Sequence, residues 1–341
     1  GDETAIHWIH RSERYGEKLA TPDVSVADLI GDIDPIKAAN LKLSFADDRV
    51  IHYGIIPRSN RGIFVINELP DLQARIQVAL FNILEEGDIQ IRGFKLRLPL
   101  DILFVFTANP EDYTNRGSIV TPLKDRIESQ ILTHYPKNLE HALEITEQEA
   151  DLSDEQKARV DISDLVKRLI EQVAFEARSS ELVDKKSGVS ARLTISALEN
   201  AVSAAERRAI MNNEKQTQVW ISDLAGIIPS ITGKVELVYE GEQEGPFQVA
   251  MNLVEKAIRT QFIQFFPNPE QLKKKRNTGK PSQEEKKEDN PYKPITAWFD
   301  KGNHLNIDFN TSDKEKTMLL YQVDGLHAVV KKFFPGANET Q

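Results

Sequence analysis

Two short, wholly apolar runs with a helix and a hairpin between them constrain this chain more than any other feature. Ile63-Phe64-Val65-Ile66 and Ile102-Leu103-Phe104-Val105-Phe106 have the length of strands buried on both faces, as in a parallel sheet. Between them, Leu72, Ile76, Ala79, Leu80, Ile83 and Leu84 recur at three- and four-residue steps. That spacing predicts a helix with Asp71 as its N-terminal cap. Ile89 and Ile91, then Leu96 and Leu98, alternate with Gln90, Arg92, Lys95 and Arg97 around Gly93, which predicts a β-hairpin. The order is strand, helix, hairpin, strand. A plain βαβ unit has no need of that hairpin, so residues 1–137 are expected to form an α/β parallel-sheet core with an insertion.

Beyond that core the period changes. Over 138–266 helices dominate, with Ile195, Leu198, Val202, Ala205 and Ala209 on one stripe and Val249, Leu253, Ala257 and Ile258 on another. Gly241 and Gly245 bracket an expected turn in the acidic stretch Glu240 to Glu244. Residues 267–291, with Lys273-Lys274-Lys275-Arg276 and a mixed run of Glu and Lys, have little to bury and are expected to be a charged linker. The last segment, 292–341, is expected to be a small α+β module. It has strands at Ile295–Phe299 and Leu305–Phe309, then a helix capped by Ser312 and Glu315. No repeat at solenoid periods is present.

Composition narrows the function. Among 341 residues, Lys+Arg is 43 against Asp+Glu 53, a formal net charge of −10 that speaks against wholesale nucleic-acid binding. Cysteine is absent, which excludes disulfides, thiolate metal sites and cysteine nucleophiles. No apolar run approaches the ~20 residues that cross a bilayer, and no N-terminal stretch has the layout of a signal peptide. A cytoplasmic, non-membrane protein is the expectation.

In a parallel sheet, ligands bind beyond the carboxyl ends of the strands. Here those ends carry Asn67-Glu68 after the first run and Thr107-Ala108-Asn109 after the second. A carboxylate and an amide on neighbouring strands suit a nucleotide phosphate site, where the carboxylate polarises a water and the amide orients it. Polar residues also end many buried strands because the chain is leaving the core, so the pair carries the signal rather than either tip.

The motifs together resemble AAA+ ATPases of the magnesium-chelatase I-subunit and MoxR type, the helix-2-insert clade. Asn60-Arg61-Gly62-Ile63-Phe64-Val65-Ile66-Asn67-Glu68-Leu69-Pro70-Asp71-Leu72 resembles the Walker B segment, and the hairpin resembles the helix-2 insert. Thr107-Ala108-Asn109-Pro110-Glu111-Asp112 is similar to sensor 1, and Pro122-Leu123-Lys124-Asp125-Arg126-Ile127 to the segment bearing the arginine finger. Gly188-Val189-Ser190-Ala191-Arg192 sits where a sensor 2 arginine would open a lid helix, and Asp28 to Asp34 is similar to the segment before Walker B. The match is collinear over roughly residues 24–210.

The resemblance implies a ring-forming ATPase, a hexamer, that binds ATP and Mg²⁺ between subunits. Its hydrolysis would drive remodelling of a protein client or metal insertion, with a von Willebrand A-type protein as the implied partner. Glu68 would be the general base or water-orienting carboxylate, and Asn109 would hold the same water. Arg126 would reach the neighbouring subunit's nucleotide, and Arg192 would contact the γ-phosphate from the lid. Taken alone, each arginine also fits a surface ion pair.

Two departures follow. Walker B normally ends in Asp-Glu, but position 67 is Asn, which can accept a hydrogen bond from a metal-bound water but brings no charge, so weaker Mg²⁺ binding is expected. The G-x-x-x-x-G-K-[ST] phosphate loop does not occur within the 341 residues, since Gly233-Lys234 and Gly279-Lys280 lack its flanking residues. With Gly1 rather than Met at the start, the expectation is a fragment that begins after that loop and is inactive alone. The alternative is a non-hydrolysing AAA+-like scaffold or regulatory module. An enhancer-dependent transcription activator shares the AAA+ core, but its GAFTGA loop is absent.

Overall fold

The computed structural model describes residues 4–45, 47–91, 97–109, 118–185, 187–271 and 290–334. The chain divides into two compact units, residues 1–133 and 134–341.

The first unit is built on a three-stranded parallel sheet. Its strands are β1 (Tyr15–Leu19), β4 (Ile63–Asn67) and β7 (Leu103–Phe106), with β4 in the centre. Tyr15 pairs with Ile63 and Ile63 with Leu103, so the three strands enter the sheet level and leave it at Asn67 and Phe106. Two further strands, β2 (Gly31–Ile33) and β3 (Ile51–Tyr53), form a separate antiparallel pair. Phe64 and Ile66 are buried on one face, where the Phe64 and Phe104 rings meet edge to face at 6.1 Å.

The order strand, helix, hairpin, strand is as the sequence predicts. Leu72, Ile76, Leu80 and Ile83 are buried against the sheet. The entry to the helix differs. Leu69–Asp71 forms a 3₁₀ turn, and the helices are Ala74–Ala79 and Phe81–Glu86, the first opening after Gln73 with no side-chain cap. Glu68 in a left-handed conformation and Pro70 at the start of the turn divert the chain before a helix can form, so Asp71 caps nothing. The hairpin is β5 (Asp88–Gln90) against β6 (Arg97–Pro99), antiparallel. Its predicted tip at Gly93, with Arg92, Lys95 and Leu96, lies outside the described residues.

The second unit is helical. Helices Asp164–Ser179, Arg192–Met211 and Pro246–Phe265 surround a core that includes Leu198, Val202, Ala205, Val249, Leu253 and Ala257, with Ala209 buried as well. Both predicted stripes supply it, with Ile195 and Ile258 only half-buried. The alanines let the helices approach closely. The strands β8 (Val160–Asp161) and β9 (Thr217–Gln218) form a two-residue parallel bridge beside them.

Three details depart from the sequence expectation. Gly241 lies inside a short helix, Tyr239–Glu244, not at a turn, and a Cβ there would meet the Leu182 carbonyl oxygen at 2.6 Å. Residues 295–299 lie within the helix Lys293–Asp300, opened by Pro294, and 305–309 form no strand. Ile295, Trp298 and Phe299 are spaced three and four apart, a helical stripe, and no neighbouring strand is there to pair with them. The described part of the C-terminal segment is therefore helical, with Asp313–Tyr321 and Leu326–Phe333 following. Ser312 does accept a bond from the Glu315 amide, as its capping role requires. The predicted linker residues 272–289 lie outside the described residues.

This segment is pinned to the rest of its unit by charge. Arg208, fully buried, bonds Asp223 through two nitrogens at 3.1 and 3.0 Å and also pairs with Asp313. Asp313 in turn accepts from the Thr217 hydroxyl at 2.8 Å and from the Trp220 ring N–H at 2.7 Å. Three carboxylates, counting Glu214 at 3.7 Å, and a backbone carbonyl, that of Gln218, thus share one guanidinium, which is how a buried charge is kept compensated. No helix among the described residues is long and apolar enough to cross a membrane.

Candidate functional site

The site forms where β4 and β7 end side by side. The Thr107 amide donates to the Ile66 carbonyl at 3.0 Å, and the Leu69 amide donates to the Thr107 carbonyl at 2.9 Å, so backbone pairing continues one step past the strands. The Thr107 hydroxyl joins the two tips. It donates to Asn67 Oδ1 at 3.2 Å and accepts from the Glu68 amide at 3.1 Å. Thr107 lay inside a quoted motif without a role. The signal that could have found it is a hydroxyl residue ending the strand next to a carboxylate.

Glu68 is held with φ 55° and ψ 49°, a left-handed conformation uncommon for a residue with a Cβ. Conformations of this kind persist where the surroundings fix them, and they cluster at functional sites. Here the amide on one side and the turn Leu69–Asp71 on the other supply that fixing. The half-buried Glu68 carboxylate has no hydrogen bond or ion pair among the described residues. Asn109, exposed and three residues past β7, is brought to the same sheet edge. Pro110, Glu111 and Asp112 of the sensor 1-like motif lie outside the described residues.

Arg126 follows the helix Thr121–Asp125. Its guanidinium donates to Glu85 at 2.8 and 2.5 Å and to the Pro122 carbonyl at 2.9 Å, and it lies 5.0 Å from the centre of the Phe81 ring. It is therefore paired within its own unit. Arg192 belongs to the second unit, where it is the first residue of the helix Arg192–Met211 and its amide donates to Ser190 Oγ at 3.2 Å. Its exposed side chain has no ion pair among the described residues.

No cluster of three or more His, Asp or Glu that could hold a metal occurs among the described residues. Asn67 Oδ1 accepts from the Thr107 hydroxyl and keeps one lone pair that a water on Mg²⁺ could use, with Glu68 the charge beside it. A cavity of about 790 Å³ lined by Arg11, Arg14, Tyr15, Arg61, Ile63 and Leu103 lies at the amino ends of the strands, away from this edge. Parallel sheets place their ligands at the other end, so that cavity does not define the site.

The chain is 24% identical over 146 residues to the magnesium-chelatase 38 kDa subunit of Cereibacter sphaeroides, a stretch covering 42% of this chain and 42% of that protein. Among solved structures, a BchI–BchD complex of magnesium chelatase is 16% identical. It covers 68% of this chain and 72% of its own, with a TM-score of 0.32. An ADP complex of NtrX from Brucella abortus is 14% identical over 73% of this chain and 51% of its own, with a TM-score of 0.40. No protein-family model matches the chain. The chain thus shares a distant sequence similarity with a magnesium-chelatase subunit over less than half of either protein, alongside a mixed α/β fold with a parallel sheet.

Proposed function

We propose that this chain carries the hydrolytic half of an ATP site in a ring-forming AAA+ ATPase. The observation that carries this is Glu68, fixed by a backbone bond to Thr107 at a parallel-strand tip, with its carboxylate unpaired among the described residues. A carboxylate so held can orient a water toward a γ-phosphate and accept its proton, and Asn109 from the neighbouring strand can hold that water's second hydrogen-bonding site. Mg²⁺, when bound with ATP, neutralises charge on the phosphates. Asn67 would face it through water.

Arg126 would serve a neighbouring subunit by exchanging Glu85 for a phosphate, and Arg192 would approach the same nucleotide from the helical unit. The ring, a hexamer by resemblance, would spend hydrolysis on remodelling a protein client or on metal insertion, with a von Willebrand A-type partner. A scaffold without turnover is the second reading. Asn67 in place of the usual Asp and the Arg126–Glu85 pair favour it.

Glu68→Gln in the intact protein tests the first reading. The amide keeps shape and removes the base, so nucleotide binding should persist while turnover falls by about 10²–10⁴-fold. Unchanged turnover would remove Glu68 from its role.

A further inference from the structure

We propose that Tyr135 is the positioning residue for Arg192, acting through its phenol oxygen on the loop that opens the Arg192 helix. This rests on the assignment of Arg192 to a nucleotide made above. The Val189 amide donates to Tyr135 Oη at 3.0 Å. Gly188, just before it, has φ +71°, and a Cβ there would stand 2.5 Å from the same oxygen. Only glycine lets the loop close on the phenol this tightly. Val189 itself is buried and bridges to Val235, so the bond fixes a loop already seated on the core.

Beyond it, Ser190 Oγ accepts from the Arg192 amide, and the Leu193 amide donates to the Ser190 carbonyl at 3.0 Å. The position of Val189 therefore sets where the first turn of the helix, and Arg192 with it, begins.

The ring is held as firmly as the oxygen. The Arg178 guanidinium lies 4.2 Å from the centre of the Tyr135 ring and 5.4 Å from that of Phe175. Its Nε and Nη1 are buried with no hydrogen-bond partner. A guanidinium left without bonds on these nitrogens interacts through its flat face, which is the face the tyrosine covers. A second anchor reaches the same turn from inside: Thr194 and Thr146 hydroxyls meet at 2.8 Å, and Thr146 donates to Glu171 at 2.6 Å. The inner anchor is buried and built from helices. The outer one comes from Tyr135, on the stretch of chain that follows Arg126.

Tyr135→Phe keeps a ring for Arg178 and removes the acceptor for Val189. In the isolated chain, hydrogen exchange at the Val189 amide should speed up about tenfold, while that of Ala201 in the helix core stays unchanged. In the intact protein the same variant should raise the KM for ATP about fivefold, the equivalent of one neutral hydrogen bond, with kcat nearly preserved. Combined with Arg192→Ala, it should add nothing. Unchanged Val189 exchange overturns the proposal. So does an unchanged KM in Tyr135→Phe when Arg192→Ala alone is impaired, and so do effects of the two that simply add. If Arg192→Ala alone has no effect on turnover or KM, the assignment of Arg192 falls, and this inference falls with it.

Discussion

The two units close their cores in different ways. In the helical unit, alanines at 197, 201, 205 and 209 bring helices together, and even the charge at Arg208 is fully enclosed and compensated. In the sheet unit one face of the sheet packs on its helices, while the other buries Val65 but keeps Tyr15, Ile63, Leu103 and Val105 exposed, with Leu103 62% accessible. A parallel sheet is ordinarily covered on both faces. The helical unit encloses its charge, whereas the sheet unit carries apolar surface and, at a strand tip, a carboxylate with no partner among the described residues.

If that division is right, the largest stability effect should come from the helical unit. Arg208→Ala would leave the buried Asp223 and the half-buried Asp313 without this cation, a loss of about 3–5 kcal/mol. Thermal unfolding followed separately in each unit should show the helical transition moving down steeply and the sheet transition staying where it is. A common shift of both would dissolve the contrast.

A smaller effect should follow at the sheet edge. Thr107→Val keeps the shape of the side chain and removes the hydroxyl that bonds Asn67 and the Glu68 amide. Stability should fall by about 1–2 kcal/mol, and turnover in the intact protein should fall about tenfold as Glu68 loses its fixing. Loss of stability with full turnover would separate the hydroxyl from the chemistry.

The smallest effect concerns pH. Burial raises the Glu171 carboxyl above its usual range, against the Thr146 and Thr194 hydroxyls and the Arg178 charge, which pull it down. A raised folded-state value means the folded form holds its proton longer than the unfolded form. Its contribution is present below the ordinary carboxylate range, near about 4.3, and is lost as pH rises through the raised value. Glu171→Gln should flatten that decline in the helical unit's unfolding free energy while leaving the sheet unit's pH profile alone. A decline of equal slope in the variant would assign it to other groups.

What the sequence disclosed follows from the same contrast. The apolar runs at 63–66 and 102–106, the crossover helix and the hairpin were legible because short apolar runs bounded by polar residues and broken by a helical stripe recur in that order along the chain. Glu68, Asn67 and Asn109 could be placed at one edge because strands carry their tips with them. The strand expectation at 295–299 failed because a short apolar run with i, i+3 and i+4 spacing serves either structure, and the absence of a pairing strand decided for helix. The Arg126–Glu85 pair, the Arg208 node and the Thr107 bridge were hidden because each joins residues far apart in the chain, and no local pattern encodes a partner chosen by tertiary approach.

The account turns on Arg126 completing a site whose Glu68 belongs to the next subunit, and mixed subunits test that directly. In the intact protein, Arg126→Ala alone should lower turnover by about 10³-fold, Glu68→Gln alone should be inactive, and both should remain folded. Mixing them should restore activity, because a boundary pairing the Arg126 of a Glu68→Gln subunit with the Glu68 of an Arg126→Ala subunit is whole. Hydrolysis at the wild-type rate by Arg126→Ala alone would contradict the account.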